Sequence, residues 1–255
     1  MNNPPTVSDT KRGFYSHHTR PVNSIYRRVV EELMVEMHLL SVNTDFRYDP
    51  IYALGVVTAF DRLMQGYQPE QDKESIFNAL CLSVGAQPQQ YRQDAQRLEA
   101  MASSFSFKDL LSWFNSPTSA EGLEDLHAAV AALVQNPKFK YSRLFAIGIY
   151  TLLEKADSSL VKDEKQCKEA LTEISNTLNL PVEKLQKDLE LYRSNLAKME
   201  QAQSVMADVI EASRKKRQQQ SQEKQESEQN NQTPTPAGDS QEDSANPEED
   251  EAPSA

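Results

Sequence analysis

Length, composition and charge exclude several classes of protein before any motif is considered. The chain has 255 residues, 38% of them hydrophobic, and a formal net charge of −11. Most of that charge follows residue 217, where ten acidic residues accompany the single cation Lys224, so the preceding part is nearly neutral. A nucleic-acid partner is not expected, because such proteins need a clustered basic excess.

Cysteine usage and hydropathy indicate where the protein acts. Cys81 and Cys167 form neither a disulfide framework nor a metal-binding spacing, which favours a reducing compartment. No apolar run approaches the roughly 20 residues that a membrane-spanning helix needs. Residues 1–14 contain no apolar signal core and are too acidic for a transit peptide. We therefore expect the protein to act in the compartment in which it is made.

Along the chain, apolar residues recur at helical spacing in segments that proline and glycine residues separate. Ser8 or Asp9 could cap a first short helix, and Pro21 fits the first turn of a second. A third helix opens with Asp49 as its cap and Pro50 in its first turn, and Gly66 closes it.

Further helices follow at similar spacing. Pro88 starts one, and Ser106 starts a shorter one that carries Trp113. Pro137 precedes the apolar segment YSRLFAIGIYTLLE. No turn signal of a β-hairpin was found between alternating strands. The pattern predicts an all-α protein with a helical bundle over residues 1–180.

The segment after Pro181 has a different pattern. Its regularly spaced positions alternate intervals of three and four, which defines a heptad seam that is apolar except at Gln203: Val182, Leu185, Leu189, Tyr192, Leu196, Met199, Gln203, Met206 and Ile210. We predict a long coiled-coil-like helix over residues 181–217. The seam could pack on the bundle, pair with a second copy or contact another protein, and Gln203 suits a helix that its own domain covers only in part. Residues 218–255, rich in Gln, Glu and Pro, should form a disordered acidic tail.

Motifs for catalysis and cofactor binding are nearly absent. The chain has no phosphate-binding glycine loop, no nucleophile elbow and no Cys-x-x-Cys pair. Glu124 and His127 have the Glu-x-x-His spacing of di-iron bundles, but no second pair accompanies them. We therefore expect no enzymatic activity, no cofactor and no metal site.

Two polar segments are candidate partner contacts or structural elements. The segment Asn43–Asp49 places the oxygen side chains of Asp45 and Asp49 as in a calcium loop. However, Arg47 lies among the ligand positions and the glycine of the calcium-loop turn is missing. We therefore expect a salt-bridged helix connection. Arg27 and Arg28 precede two glutamates by about one turn, which favours intrahelical ion pairs.

The end of the heptad helix is a third candidate. It carries four consecutive basic residues, which either favour the helix C-terminus or attract anionic lipid headgroups: Arg214, Lys215, Lys216 and Arg217. Gln203 in the seam is a further candidate partner contact.

The residues also carry a family resemblance. The segment from Thr6 to Tyr67, which includes SHHTRPVNSIYRRVVEELMVEMHLLSVNTDFRYDPIYALG, closely resembles the thylakoid formation family, also called photosystem II biogenesis proteins. The stretches ESIFNALCLSVGAQPQQYRQDAQRL and FKYSRLFAIGIYTLLE are similar to the same family. Together the likeness covers about residues 6–154.

The resemblance implies a role in biogenesis or repair of photosystem II in an oxygenic phototroph. It implies peripheral association with the cytoplasmic side of the thylakoid membrane, and binding to the membrane FtsH protease and photosystem II-associated proteins. It supplies no catalytic residues. We expect a monomer of cyanobacterial type, and the alternative function is binding of a pigment or lipid at the thylakoid surface.

Overall fold

The structure, a computed structural model, describes residues 4–115 and 124–230. Over these residues the secondary structure consists of helices without strands, which confirms the all-α prediction. The helices are α1 (Val7–His17), α2 (Ser24–Ser41), α3 (Pro50–Leu63), α4 (Gln71–Ser83), α5 (Pro88–Ser103), α6 (Phe107–Asn115), α7 (Glu124–Val134), α8 (Arg143–Ala156), α9 (Ser158–Lys162), α10 (Glu164–Thr177) and α11 (Val182–Asn230). No described helix has both the length and the apolar character needed to cross a membrane.

The helices divide into two compact units, Met1–Val205 and Met206–Ala255. The first unit extends beyond residue 180, where we expected the bundle to end, because the first turns of α11 belong to its core: Leu185, Leu189 and Tyr192 are buried there. In the second unit, residues 206–230 are helical, and residues 231–255 of the predicted acidic tail lie outside the described residues.

Helix α11 continues past Arg217, where the sequence pattern placed its end, to Asn230. Gln, Glu and Lys dominate this extension and are good helix formers, and the next glycine or proline is Pro234. The lack of apolar residues removes a packing face but does not by itself prevent a helix.

Two helices, α3 and α8, form the centre of the first unit. Every residue of α3 from Pro50 to Phe60 is buried, as is every residue of α8 from Leu144 to Leu153. A helix that is apolar on all sides has no face for solvent and must be surrounded by others. These two segments therefore lie inside the bundle.

Glycines allow α3 and α8 to approach each other closely. A Cβ atom added to Gly55 would overlap the carbonyl oxygen of Leu144, and one added to Gly148 would overlap the carbonyl oxygen of Ile51. Near this crossing the Thr151 hydroxyl lies 3.3 Å from the Thr58 hydroxyl. The crossing places backbone against backbone, where any larger side chain would separate the helices.

Helix starts follow the local capping rules, with two corrections. Thr6, rather than Ser8 or Asp9, caps α1, and its side chain and the Asp9 carboxylate form a reciprocal capping box. Pro21 does not open α2. Instead, the side chain of Asn23 accepts a hydrogen bond from the Ile25 amide, and the helix begins at Ser24.

The predicted starts of α3, α5 and α6 are confirmed. The Asp49 carboxylate accepts the Tyr52 amide at 2.7 Å, and Pro50 occupies the first turn of α3. Pro88 begins α5, and Ser106 forms a capping box with Asp109 before α6. These signals are local in sequence, so they hold whatever the tertiary packing.

Helices α9 and α10 have no counterpart in the sequence analysis. Their caps are Asp157 and Asp163, whose carboxylates accept amide hydrogen bonds from the first turn of each helix. Helix α10 buries only one side, through Cys167, Leu171 and Ile174. The two capping aspartates were the signal that could have revealed both helices.

Candidate functional site

A groove runs along the surface between α2 and the first part of α11. Its apolar lining comes from Val35 and Leu39 of α2 and from Leu191 of α11. These side chains are 37%, 58% and 46% exposed, respectively, and so rank among the exposed large hydrophobic residues of the first unit. The groove is an open depression of about 610 Å³. We call it the α2–α11 groove.

The two helices that form the groove run antiparallel. Leu39, late in α2, lies in the same part of the groove as Leu191, early in α11. Ile25 and Val29, early in α2, line a continuation of about 190 Å³ together with Met199, which lies later in α11. From Ile25 to Leu39 the α2 wall is about 21 Å long at 1.5 Å per residue.

The sequence pattern explains why α2 has a second apolar face. The main apolar stripe of α2 points into the body, where Val29, Leu33, Met37 and Leu40 are buried. Val35 and Leu39 lie outside that stripe and are one turn apart, so they form a separate exposed pair. The α11 seam from Leu185 to Met199 likewise faces the body, whereas Leu191 lies off the seam.

Charged residues border the groove, and most are paired. The Arg28 guanidinium donates to Glu32 at 2.8 Å, and Lys11 pairs with Glu31 at 2.8 Å. Lys198 of α11 also lines the groove and forms no ion pair with the residues that the structure describes. The border is therefore polar around an apolar centre, as in many protein-binding surfaces.

Glu36 connects α2 to the start of α8. Its carboxylate accepts hydrogen bonds from the Arg143 guanidinium at 2.8 Å and from the Leu144 amide at 3.2 Å. Burial raises the pKa of Glu36 above its ordinary value, although the Arg143 charge opposes that shift. Glu36 and Arg143 thus join two helices beneath the groove and hold its floor in place.

The heptad seam of α11 packs mainly on the chain's own body. Leu185, Leu189 and Tyr192 are buried, and Leu196 and Met199 pack partly against the same core. The Gln203 amide then donates to the Gln65 carbonyl at 2.5 Å. The Tyr26 hydroxyl donates to that same carbonyl at 2.9 Å. The polar position in the seam is therefore an anchor to the turn after α3.

The predicted contacts in the connection between α2 and α3 make intramolecular bonds. Asp45 lies 3.7 Å from Lys138 and 3.5 Å from Lys140, and Arg47 donates to the carbonyls of Thr44 and Phe46 at 2.8 Å each. Asp49 caps α3 and is fully buried, and burial raises its pKa to about 7. These contacts are those of a salt-bridged helix connection.

The basic candidates lie in different places. Arg27 is exposed beside Arg28, which lines the groove. In the second unit, Arg214 and Lys216 are exposed and Lys215 pairs with Glu211 at 2.7 Å, whereas the Arg217 side chain lies outside the described residues. Of the candidate contacts, the groove therefore includes only Arg28, and its apolar centre was not predicted.

Three of the histidines make structural contacts. His38 is buried and shares a 2.8 Å hydrogen bond with Thr10, and His18 is buried and bonded to Ser75 at 2.9 Å. His127 packs edge-on against Trp113, whereas Glu124 is exposed. Among residues 4–115 and 124–230, no cluster of three potential metal ligands occurs.

Comparison with known proteins identifies relatives over most of the chain. The family model described as thylakoid formation protein matches residues 6–221. The chain is 63% identical to Protein Thf1 of Nostoc punctiforme over 216 residues, which are 85% of this chain and 92% of that relative. It is 64% identical to Protein Thf1 of Trichormus variabilis over 211 residues, which are 83% of this chain and 91% of that relative.

A solved structure extends the likeness to the fold. The structure of Psb29 at 1.55 Å superposes with a TM-score of 0.73 at 46% sequence identity and covers 84% of this chain and 99% of that one. The chain therefore belongs to the thylakoid formation protein family, and this membership implies a role in thylakoid and photosystem II biogenesis.

Proposed function

We propose that the protein is a non-enzymatic accessory factor in photosystem II biogenesis and repair that binds or stabilises the thylakoid FtsH protease. The family membership supports the process, and the α2–α11 groove supports the mode of action. In this proposal the helical body supplies a docking surface and the chemistry belongs to the partner.

The observation that carries this proposal is the cluster of exposed apolar side chains in the groove. Val35, Leu39 and Leu191 leave their apolar surface in water within a body whose other large side chains are mostly buried. Exposed apolar clusters with a polar border are typical of surfaces that bind another protein. The cluster lies on two helices, α2 and α11.

We further propose that the protein works at the cytoplasmic side of the thylakoid membrane as a peripheral protein. The exposed cations Arg214 and Lys216 support a contact with anionic lipid headgroups, at about 1 kcal/mol for each cation near the surface. The acidic residues that follow in the sequence oppose this attraction, so the membrane contact is weak and reversible in the proposal.

Binding of a pigment or lipid inside the bundle gains less support. The space beneath the groove, between Leu33, Leu63 and Tyr192, holds only about 20 Å³. That volume suits about one water molecule. Absorbance and lipid analysis of the protein purified from its native host would test this alternative directly.

Retention of partners by groove variants tests the proposal. We expect Leu39→Glu and Leu191→Glu each to reduce recovery of FtsH and photosystem II subunits from solubilised thylakoid membranes by about tenfold or more, because each buries a charge in the contact. The measurement is quantitative mass spectrometry of proteins retained on immobilised full-length chain.

Leu82→Glu is the matched control, since Leu82 is 41% exposed on α4 and lies outside the groove. It should retain the same proteins as the unmodified chain. Equal recovery by all three variants, with unchanged thermal unfolding, would contradict docking at this groove.

A further inference from the structure

The two ends of the α2–α11 groove differ in chemistry. One end is apolar, with Leu39 facing the same space as Leu191. The other end carries Arg28 and Lys198 together with two glutamates that are already ion-paired. The Arg28 charge is shared with Glu32, whereas Lys198 pairs with no acidic residue in the described part of the chain. A ligand that is apolar where it meets Leu39 and acidic where it meets Lys198 therefore complements the groove.

The shape of the groove selects the type of ligand. Two antiparallel helices leave between them a channel into which the side chains of a third helix can pack. The α2 wall of about 21 Å corresponds to about four turns, or roughly 14 residues of helix. A peptide that binds by adding a strand would need a free sheet edge, and none of the described residues forms a strand.

Resting on the proposed function, we infer that the groove binds one amphipathic helix of the partner protein. Apolar residues of that helix, about three or four positions apart, pack on Val35, Leu39 and Leu191. An acidic residue about two turns away pairs with Lys198, because Leu191 and Lys198 are seven residues, or about 10.5 Å, apart along α11. The apolar contacts supply most of the affinity, and the charge pair sets the direction in which the helix lies.

Photocrosslinking in the native host tests the geometry. A photoreactive amino acid replaces Leu39 in one full-length variant and Lys198 in another, and the crosslinked peptides are sequenced. We expect both positions to crosslink to a single segment of one protein, at residues about 5–10 positions apart, with an acidic residue at the end nearest position 198. Crosslinks to lipid, to a second copy of this chain, to two unrelated segments or to nothing would each overturn the inference.

Charge reversal tests the direction of the bound helix. We expect Lys198→Glu to reduce recovery of the crosslinked partner by about tenfold, and replacement of the partner's acidic residue by lysine to restore it. Lys187→Glu is the matched control, because Lys187 is exposed on the same helix outside the groove. Equal recovery with Lys198→Glu and Lys187→Glu would overturn the charge pair.

The outcomes separate this inference from the proposed function. If crosslinks identify one amphipathic helix of a protein other than FtsH, and FtsH is not retained, the proposed partner is wrong and the inference holds. If FtsH is retained but Lys198→Glu and the crosslinks show no groove contact, the inference is wrong and the proposed partner holds.

Discussion

Replacing Gly148 or Gly55 with alanine is expected to lower the free energy of unfolding by about 3 kcal/mol or more. Each added methyl group would overlap a backbone carbonyl oxygen of the facing helix, and a backbone cannot move aside as a flexible side chain can. In a domain of this size such a loss lowers the melting temperature by roughly 6–12 °C. Thermal unfolding followed by circular dichroism measures the change.

Gly13→Ala is the matched control, because it makes the same substitution inside a helix that has room for it. A Cβ at Gly13 would have its nearest neighbour, the Ser83 Cα, at 3.6 Å. Alanine also has a better helix propensity, so this variant should gain about 0.5–1 kcal/mol. Similar melting temperatures for Gly13→Ala and Gly148→Ala would show that α3 and α8 are not in close contact.

The second large effect concerns pH and Asp49. Its pKa rises to about 7 in the folded protein, because burial disfavours the carboxylate, and is 3.8 when the chain is unfolded. Between these values the folded state binds more protons than the unfolded state, so the contribution to stability is full below pH 3.8 and is lost as pH rises through 7. The loss is on the order of 4 kcal/mol.

Asp49→Asn should remove this pH dependence while keeping an oxygen that can accept the Tyr52 amide. We expect the stability difference between Asp49→Asn and the unmodified chain to shift in favour of the variant as pH rises from 4 to 8, measured by urea unfolding at each pH. Asp9→Asn is the control: Asp9 is an exposed cap whose pKa is lowered by bonds to Thr6, so its effect is constant above pH 5. A constant difference for Asp49→Asn would contradict the burial of an ionisable Asp49.

Local signals in the sequence predicted where several helices begin, but they did not predict which helices contact one another. Asp49 with Pro50, and Ser106 with Asp109, identified helix starts because capping involves residues within one turn. Pro21 was misleading, since Asn23 offers a side-chain acceptor nearer the first amides of α2. Residues 218–230 of α11 contain good helix formers but no apolar residues, so hydrophobic periodicity does not predict that the helix continues there.

The groove could not be predicted, because its two walls are far apart in sequence. Nothing near Val35 indicates that Leu191 will lie beside it, and the Glu36–Arg143 bond beneath them joins residues 107 positions apart. Similarly, Gly55 and Gly148 are ordinary glycines in apolar helices until the helices cross. Pairings of this kind depend on the packing of the whole bundle.

Because α11 forms one wall of the groove, the groove is completed late in the synthesis of the first unit. One wall belongs to residues 191–199, which are among the last of the first unit to leave the ribosome, and the other belongs to α2, which is among the first. A nascent or prematurely terminated chain can therefore contain α2 without residues 191–199, which form the other wall of the groove. Under the proposed mode of action, a fragment that ends before residue 191 therefore lacks one wall of the docking surface and should not retain the partner.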